Sequence, residues 1–186
     1  ITKYEAECEI LKEIENKNID AKIFRLGNIM PRISDGRFQI NMHQNGFLSR
    51  LKTLLDIKYT TNEINNLHID ISPVDLCAKF IIKLMEASCE NTVFHISNPN
   101  FISMKEILNS FNVEFKLTNV ENCINLINKL NNPLNAHLVN DLLSPELIET
   151  PYSCDITMKD LNSIKLEWPK ITKDYLKNLY NLIMQI

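Results

Sequence analysis

Ala21-Lys22-Ile23-Phe24-Arg25-Leu26-Gly27-Asn28-Ile29-Met30-Pro31-Arg32 is the stretch on which the reading of this chain turns. Ile23 and Phe24 favour extended backbone, and Gly27-Asn28 suits a sharp turn, so residues 21–26 are expected to form a strand that feeds a loop. Upstream, Tyr4, Cys8, Leu11 and Ile14 recur at helical spacing, Glu7, Lys12 and Glu13 face away from them, and Lys17-Asn18 ends the pattern. A short amphipathic helix is therefore expected before the strand.

Downstream the pattern loosens. Ser34-Asp35-Gly36 reads as a turn, and Phe47, Leu48, Leu51, Leu54 and Leu55 predict a helix over residues 45–55. Residues 64–71 are expected as a short strand. Ser72-Pro73-Val74-Asp75 then reads as a helix start, with Ser72 as cap, Pro73 at the first helical position and Asp75 reaching back to a free amide. That helix should run to about Ala87. Thr92 to Ile96 is a compact apolar strand ending in the turn cluster Ser97-Asn98-Pro99-Asn100, and Ser103 to Glu106 carries a capping-box signature before Ile107, Leu108 and Phe111.

Further elements are expected as a strand at residues 113–117 and helices at 120–130 and 134–143. A third capping box is expected at Asp155 to Asp160, and a last helix with Tyr175, Leu176, Leu179, Tyr180 and Ile183 on one stripe. Asp75 is read as a capping residue, and Trp168 as a packing anchor.

The composition sets outer bounds. With 186 residues the chain can bury roughly 70 % of its unfolded surface, enough for one domain or one and a fraction. It is 45 % hydrophobic and 23 % charged with a net charge of −3, which gives no electrostatic reason to bind nucleic acid. Apolar runs such as Phe80-Ile81-Ile82 fall far short of the ~20 residues that span a bilayer, so no membrane partner is expected. Five cysteines at positions 8, 77, 89, 123 and 154 form no Cys-x-x-Cys pair and suit reduced, cytoplasmic thiols. His43, His68, His95 and His137 lack ligand spacing, so no metal site is expected. There is no Gly-x-Ser-x-Gly elbow and no nucleophilic cysteine motif.

A helix with Lys3 in its first turn, a strand ending Arg25-Leu26-Gly27-Asn28-Ile29, and then Pro73-Val74-Asp75 followed by strand, turn and capped helix resemble the second half of an extended short-chain dehydrogenase/reductase. Within that superfamily the chain most resembles the C-terminal part of the thioester reductase domains of nonribosomal peptide synthetases, relatives of carboxylic acid reductases. The resemblance extends to the Leu-rich turn, the Trp168-Pro169 pair and the closing helix, and it rests on the order of short motifs. It implies an α/β fold, the C-terminal portion of a Rossmann-like sheet with its last parallel strands, mostly helical, with a small substrate-binding subdomain. It divides the chain into residues 1–32 at the edge of the nucleotide-binding domain, 33–71 in the substrate cleft, 72–100 as helix and last strand, and 101–186 as the helical substrate-binding subdomain.

In the family a Tyr-x-x-x-Lys pair carries the chemistry, and Lys3 matches its lysine; the tyrosine would fall before residue 1, so the chain is expected to be part of a longer protein. The resemblance implies that the Lys3 ammonium hydrogen-bonds the nicotinamide ribose and lowers the pKa of the tyrosine so that it can donate a proton near neutral pH. Lys3 is thus the expected catalytic residue, and Lys3, Gly27, Asn28 and Ile29 the expected cofactor-binding residues. NADPH is the implied cofactor, and a thioester on the phosphopantetheine arm of a carrier protein the implied substrate, released as an aldehyde or alcohol.

The chain departs from the family pattern in having no Gly-rich phosphate loop. By itself it is expected neither to hold NADPH tightly nor to transfer hydride. Its strand at 21–26 would lack a neighbour on one side, and bare edges recruit partners, so the complementary half of the domain or a second copy is expected there. The alternatives are another extended reductase, such as a nucleotide-sugar epimerase or dehydratase or a fatty acyl-CoA reductase, or a non-catalytic domain that docks a carrier or condenses without reducing.

Overall fold

A computed structural model describes residues 2–130, 132, 135–143 and 153–186 of the chain. In chain order the first elements are α1 (Thr2–Glu15), β1 (Ile23–Leu26), β2 (Ile29–Met30), α2 (Gly46–Ile57), β3 (Tyr59–Thr60), α3 (Asn62–Asn65), β4 (His68–Ile69), β5 (Ser72–Pro73) and α4 (Val74–Glu86). There follow β6 (Val93–Ile96), β7 (Ile102–Ser103), α5 (Met104–Ser110), β8 (Lys116–Leu117), α6 (Val120–Asn128), α7 (Ala136–Leu143), α8 (Asp155–Ser163) and α9 (Lys173–Ile183).

The strand read from residues 21–26 pairs in parallel with β6, Ile23 opposite Val93 through to Leu26 opposite Ile96. Parallel neighbours need a crossover, and here it is long, holding the whole of α2 to α4. The Ile23 and Gly27 amides donate to Thr92 and Ile96 oxygens, so by the alternation of the ladder Phe24 and Leu26 turn their backbone groups to the opposite edge. Among the described residues no strand pairs there. The outer edge of β6 is treated differently: Thr157 on α8 accepts the His95 amide at 2.8 Å and blunts it.

Most expected helices form, and several caps explain why. Asn45 accepts from the Leu48 amide, Thr172 from the Tyr175 amide, and Ser103 with Glu106 closes both arms of a capping box. Gly36, with φ +70, makes the turn after Ser34. The last helix buries Tyr175, Leu176, Leu179 and Ile183 as expected.

Other readings are corrected. The stretch read as a strand from Ile64 starts as a turn of helix, because the Thr61 hydroxyl caps Ile64, and leaves only the short β4. Ser72 does not cap α4. It lies in β5, where its hydroxyl is engaged by Asp70 and the Asn98 amide, and Asp75 accepts amides of the loop after β2 as well as the Leu76 amide of its own helix instead of reaching back to the residue before the helix. The third capping box fails for a similar reason: Cys154 precedes α8 without a side-chain cap, and Thr157 is spent on the β6 edge. The strand expected at 113–117 shrinks to β8, and the helix from 120 ends at Asn128. The helix expected from 134 is α7, and its expected first residue lies outside the described ones.

Two apolar clusters hold these parts. The larger joins Leu48, Leu51 and Leu54 to Ile107, Ile127, Leu179 and Ile183. The smaller lies against the β1–β6 pair and contains Phe80, Leu84, Phe94, Leu161 and Trp168. Trp168 stands edge-on to Phe80 at 4.7 Å between centroids, the packing role read from the sequence. Helix α1 differs from the rest, because it buries no residue at all: Tyr4 of its apolar stripe is 73 % exposed, and Leu11 and Ile14 are half-buried. Among the described residues no helix is long and apolar enough to cross a membrane.

Candidate functional site

Ligands of open parallel sheets bind outside the carboxyl ends of the strands, and here that end is built around Gly27 and Asn28. The Gly27 amide closes the β1–β6 ladder on the Ile96 oxygen at 3.0 Å. One residue on, the Asn28 amide turns to the Asp70 carboxylate at 2.7 Å, and the Asn28 carbonyl accepts from the Ser72 amide at 3.1 Å. Ile29 starts β2 opposite Ser72 and is half-buried.

Asp70 gathers this corner. Its Oδ2 accepts from the Asn28 amide, from the Ser97 hydroxyl at 2.8 Å and from the Ser72 hydroxyl at 3.1 Å. Such a carboxylate is fixed in place, because leaving it would strand three donors. A Cβ on Gly27 would fall 2.1 Å from that Oδ2 and 2.6 Å from the Ser97 hydroxyl, so only glycine fits.

Asn28 and Asp70 line two cavities at once. One, about 350 Å3, is bounded by Arg25, Gly27, His95 and Ser97. The other, about 610 Å3, runs between the start of α2 and α7, with Asn45, Phe47, Arg50, Met104 and Asp141 in its wall. A ligand lying over Gly27 in the first would meet one held in the second at the Asn28–Asp70 ridge.

The loop after β2 is secured from both sides. Asp75 accepts the Ile33 and Ser34 amides at 3.0 and 3.1 Å, and the buried Tyr175 hydroxyl of α9 donates to the Pro31 carbonyl at 2.8 Å. Burial works against ionising Asp75, but the amides of Ile33, Ser34 and Leu76 outweigh it and hold the carboxyl below its ordinary range. Burial pushes the Cys77 thiol up to about 12, with the Asp70 charge adding to it, so this neighbour of the site is not a nucleophile.

Lys3 lies in the first turn of α1, exposed, without a side-chain partner among the described residues. Its helix is tied to the sheet by Glu7, which accepts from Arg25 of β1, while Arg25 also contacts His95 of β6 at 3.2 Å. The Arg25 hydrogen bond holds the Glu7 carboxyl below its usual range. Lys3 shares a helix face with Glu7 and stands about 6 Å further along the axis, and Gly27 stands about 7 Å beyond Arg25 along the strand. α1 leads into β1 through residues 16–22.

The sequence reading singled out Lys3, Gly27, Asn28 and Ile29 and did not name Asp70, Ser72, Ser97, Arg50 or Asp141 as site residues. For Ser97 a signal existed: it is a small polar residue directly after the apolar strand Val93–Ile96, where ligand contacts concentrate. Among the described residues no group of His, Cys, Asp and Glu could hold a metal ion.

Residues 1–81 match an NAD-binding family model described as "Male sterility protein". No curated protein matches the chain. Among solved structures, it is similar to a thiolation-reductase di-domain from an archaeal non-ribosomal peptide synthetase, at 28 % identity and a TM-score of 0.81, covering 97 % of this chain and 39 % of that one. The reductase domain of the Aureusimine biosynthetic cluster gives 23 % identity and a TM-score of 0.84 over 96 % of this chain and 48 % of that one. The terminal R domain of the myxalamid PKS-NRPS pathway gives 14 % and 0.64 over 88 % and 43 %. The last two, under a quarter identical, share the fold. The chain spans less than half the length of each of the three.

Proposed function

We infer that this chain, whose fold is that of reductase domains in the extended short-chain dehydrogenase/reductase superfamily, is the substrate-binding portion of a thioester reductase. In this reading the whole domain uses NADPH to release a carrier-bound acyl or peptidyl thioester as an aldehyde or alcohol in the cytoplasm. The observation that carries it is the ridge of Asn28 and Asp70 between two cavities, at the carboxyl end of a parallel strand pair and inside the segment that matches an NAD-binding family.

The residues present fit the nicotinamide end of such a cofactor. Gly27 presents bare backbone to the smaller cavity, and its missing Cβ is enforced by Asp70. When bound, the cofactor supplies the hydride. Lys3 would hold the nicotinamide ribose and, as a fixed positive charge, would ease proton donation by a neighbouring acid. Asp70 and Asp75 keep the loop from Gly27 to Ser34 in one shape, so the protein reorganises little when the ligands meet. The chain alone, without a Gly-rich phosphate loop in its 186 residues, is inactive.

The open edge of β1 has a place in this reading. Phe24 and Leu26 offer unpaired backbone groups, Leu26 is 51 % exposed and Tyr4 on the adjoining helix is 73 % exposed, a surface suited to a further parallel strand from the nucleotide-binding half. Self-association at that edge is what the chain would do without this half.

The test is NADPH oxidation by the reductase domain that contains this chain, with a carrier-loaded thioester, comparing the native protein with Lys3→Ala. Turnover should fall at least a hundredfold while the variant keeps its melting temperature. A native domain that binds the loaded carrier and oxidises no NADPH would overturn the reading in favour of a docking or condensing domain.

A further inference from the structure

The larger cavity contains a feature that hydride transfer does not require. Arg50 on α2 faces Asp141 on α7 and donates through Nε and Nη2 to the two carboxylate oxygens, the second contact at 3.1 Å. Both side chains are largely buried, 29 % and 21 % exposed, and both line the cavity. A two-point pair of this kind fixes the guanidinium plane.

The pair leaves donors unspent. A guanidinium carries five N–H groups and this contact occupies two. The Nη1 nitrogen lies over Gly46, 3.5 Å from where a Cβ would stand, and Gly46 is itself part of the cavity wall. Among the described residues nothing else engages Nη1. Asn45 and Asn140 add amides to the same wall, while Phe47 and Met104 supply an apolar side.

We propose that Arg50, oriented by Asp141, reads a carbonyl group in the acyl chain beyond the thioester, so that the substrate is a peptide-like or otherwise carbonyl-bearing acyl group and not a saturated aliphatic one. This rests on the larger cavity being the acyl cleft of the function proposed above. The Arg50 charge is already balanced by Asp141, so a neutral oxygen fits better than a carboxylate. An aliphatic chain would strip water from the ion pair and return no hydrogen bond, which is the arrangement that a polar pocket rejects most strongly.

Binding tests this without depending on turnover. Unreactive pantetheine analogues with an amide in place of the thioester, carrying either a dipeptidyl or a decanoyl group, are titrated calorimetrically into the intact reductase domain. The native protein should prefer the dipeptidyl analogue by about tenfold or more. Arg50→Met should abolish that preference by weakening the dipeptidyl analogue alone, and Arg50→Lys, which keeps the charge without the fork, should restore only part of it. Equal binding of the two analogues by the native domain overturns the proposal, and so does an Arg50→Met variant that folds and weakens both alike. Should Arg50→Met not fold, the native preference and Arg50→Lys decide. A domain that shows the preference but oxidises no NADPH fails the reductase reading alone; one that reduces both thioesters equally well fails this inference alone.

Discussion

Asp70 stands where a side chain on Gly27 would have to go: its Oδ2 lies 2.1 Å from the position of a Cβ on that glycine. The carboxylate cannot step aside cheaply, because the Asn28 amide and the hydroxyls of Ser97 and Ser72 hold it. Gly27→Ala should therefore destabilise the chain by about 1–3 kcal/mol, the usual cost of overpacking. It should also weaken nicotinamide-cofactor binding by the intact domain. Denaturant unfolding and a cofactor titration check both; an alanine variant as stable as the native protein would show that the corner is looser than the geometry says.

Asp75 makes the loop after β2 sensitive to acid. Its carboxyl sits below the ordinary value in the folded chain, so the sign is fixed: the stability it contributes is present above about pH 4, the unfolded carboxylate range, and is lost as pH falls through the lower folded value. Asp75→Asn should flatten that part of the acid limb of the stability curve. It should also raise hydrogen exchange at the Ile33 and Ser34 amides, which would lose a charged acceptor. Unchanged exchange at those amides would contradict the role given to Asp75.

Tyr175→Phe keeps the ring in the core and removes only the hydroxyl that donates to the Pro31 carbonyl. The loss should be about 1–2 kcal/mol, since a buried acceptor is left unpaired. Urea unfolding measures it. An effect within error would mean that water reaches the Pro31 oxygen once the hydroxyl is gone.

Glu7 and Arg25 tie down a helix that buries nothing else. Glu7→Arg or Arg25→Glu alone should increase hydrogen exchange throughout α1, and the double swap should recover part of the protection. Because Arg25 is half exposed, the contact should weaken as salt rises. If neither single reversal changes exchange, α1 is held by other means.

The local elements were legible because their causes are local. Ser103 and Glu106 stand three residues apart and close a capping box wherever the chain puts them, and the stripe from Tyr175 to Ile183 buries itself against whatever core is present. Ser72 and Asp155 through Asp160 carried signatures of the same kind and failed. Their hydroxyls had better partners, the neighbouring Asp70 and the distant Asn98 amide for Ser72 and the distant His95 amide for Thr157. A capping residue is only an offer of a hydrogen bond, and tertiary structure decides who accepts it.

The sequence by itself determined most of the helices, the strands from Ile23 to Leu26 and from Val93 to Ile96, the break between strands at Gly27-Asn28 and the packing role of Trp168. Those follow from periodicity, turn chemistry and a resemblance carried by short motifs, all of which survive in one dimension. Only the tertiary structure decided that Asp70 fills the space beside Gly27, that Asp75 and Tyr175 clamp the loop after β2, and that Arg50 meets Asp141 across a cavity. Each of these joins residues 42 to 144 positions apart. Hydrogen bonds of that span depend on where the folded backbone brings its polar groups, which no local pattern records.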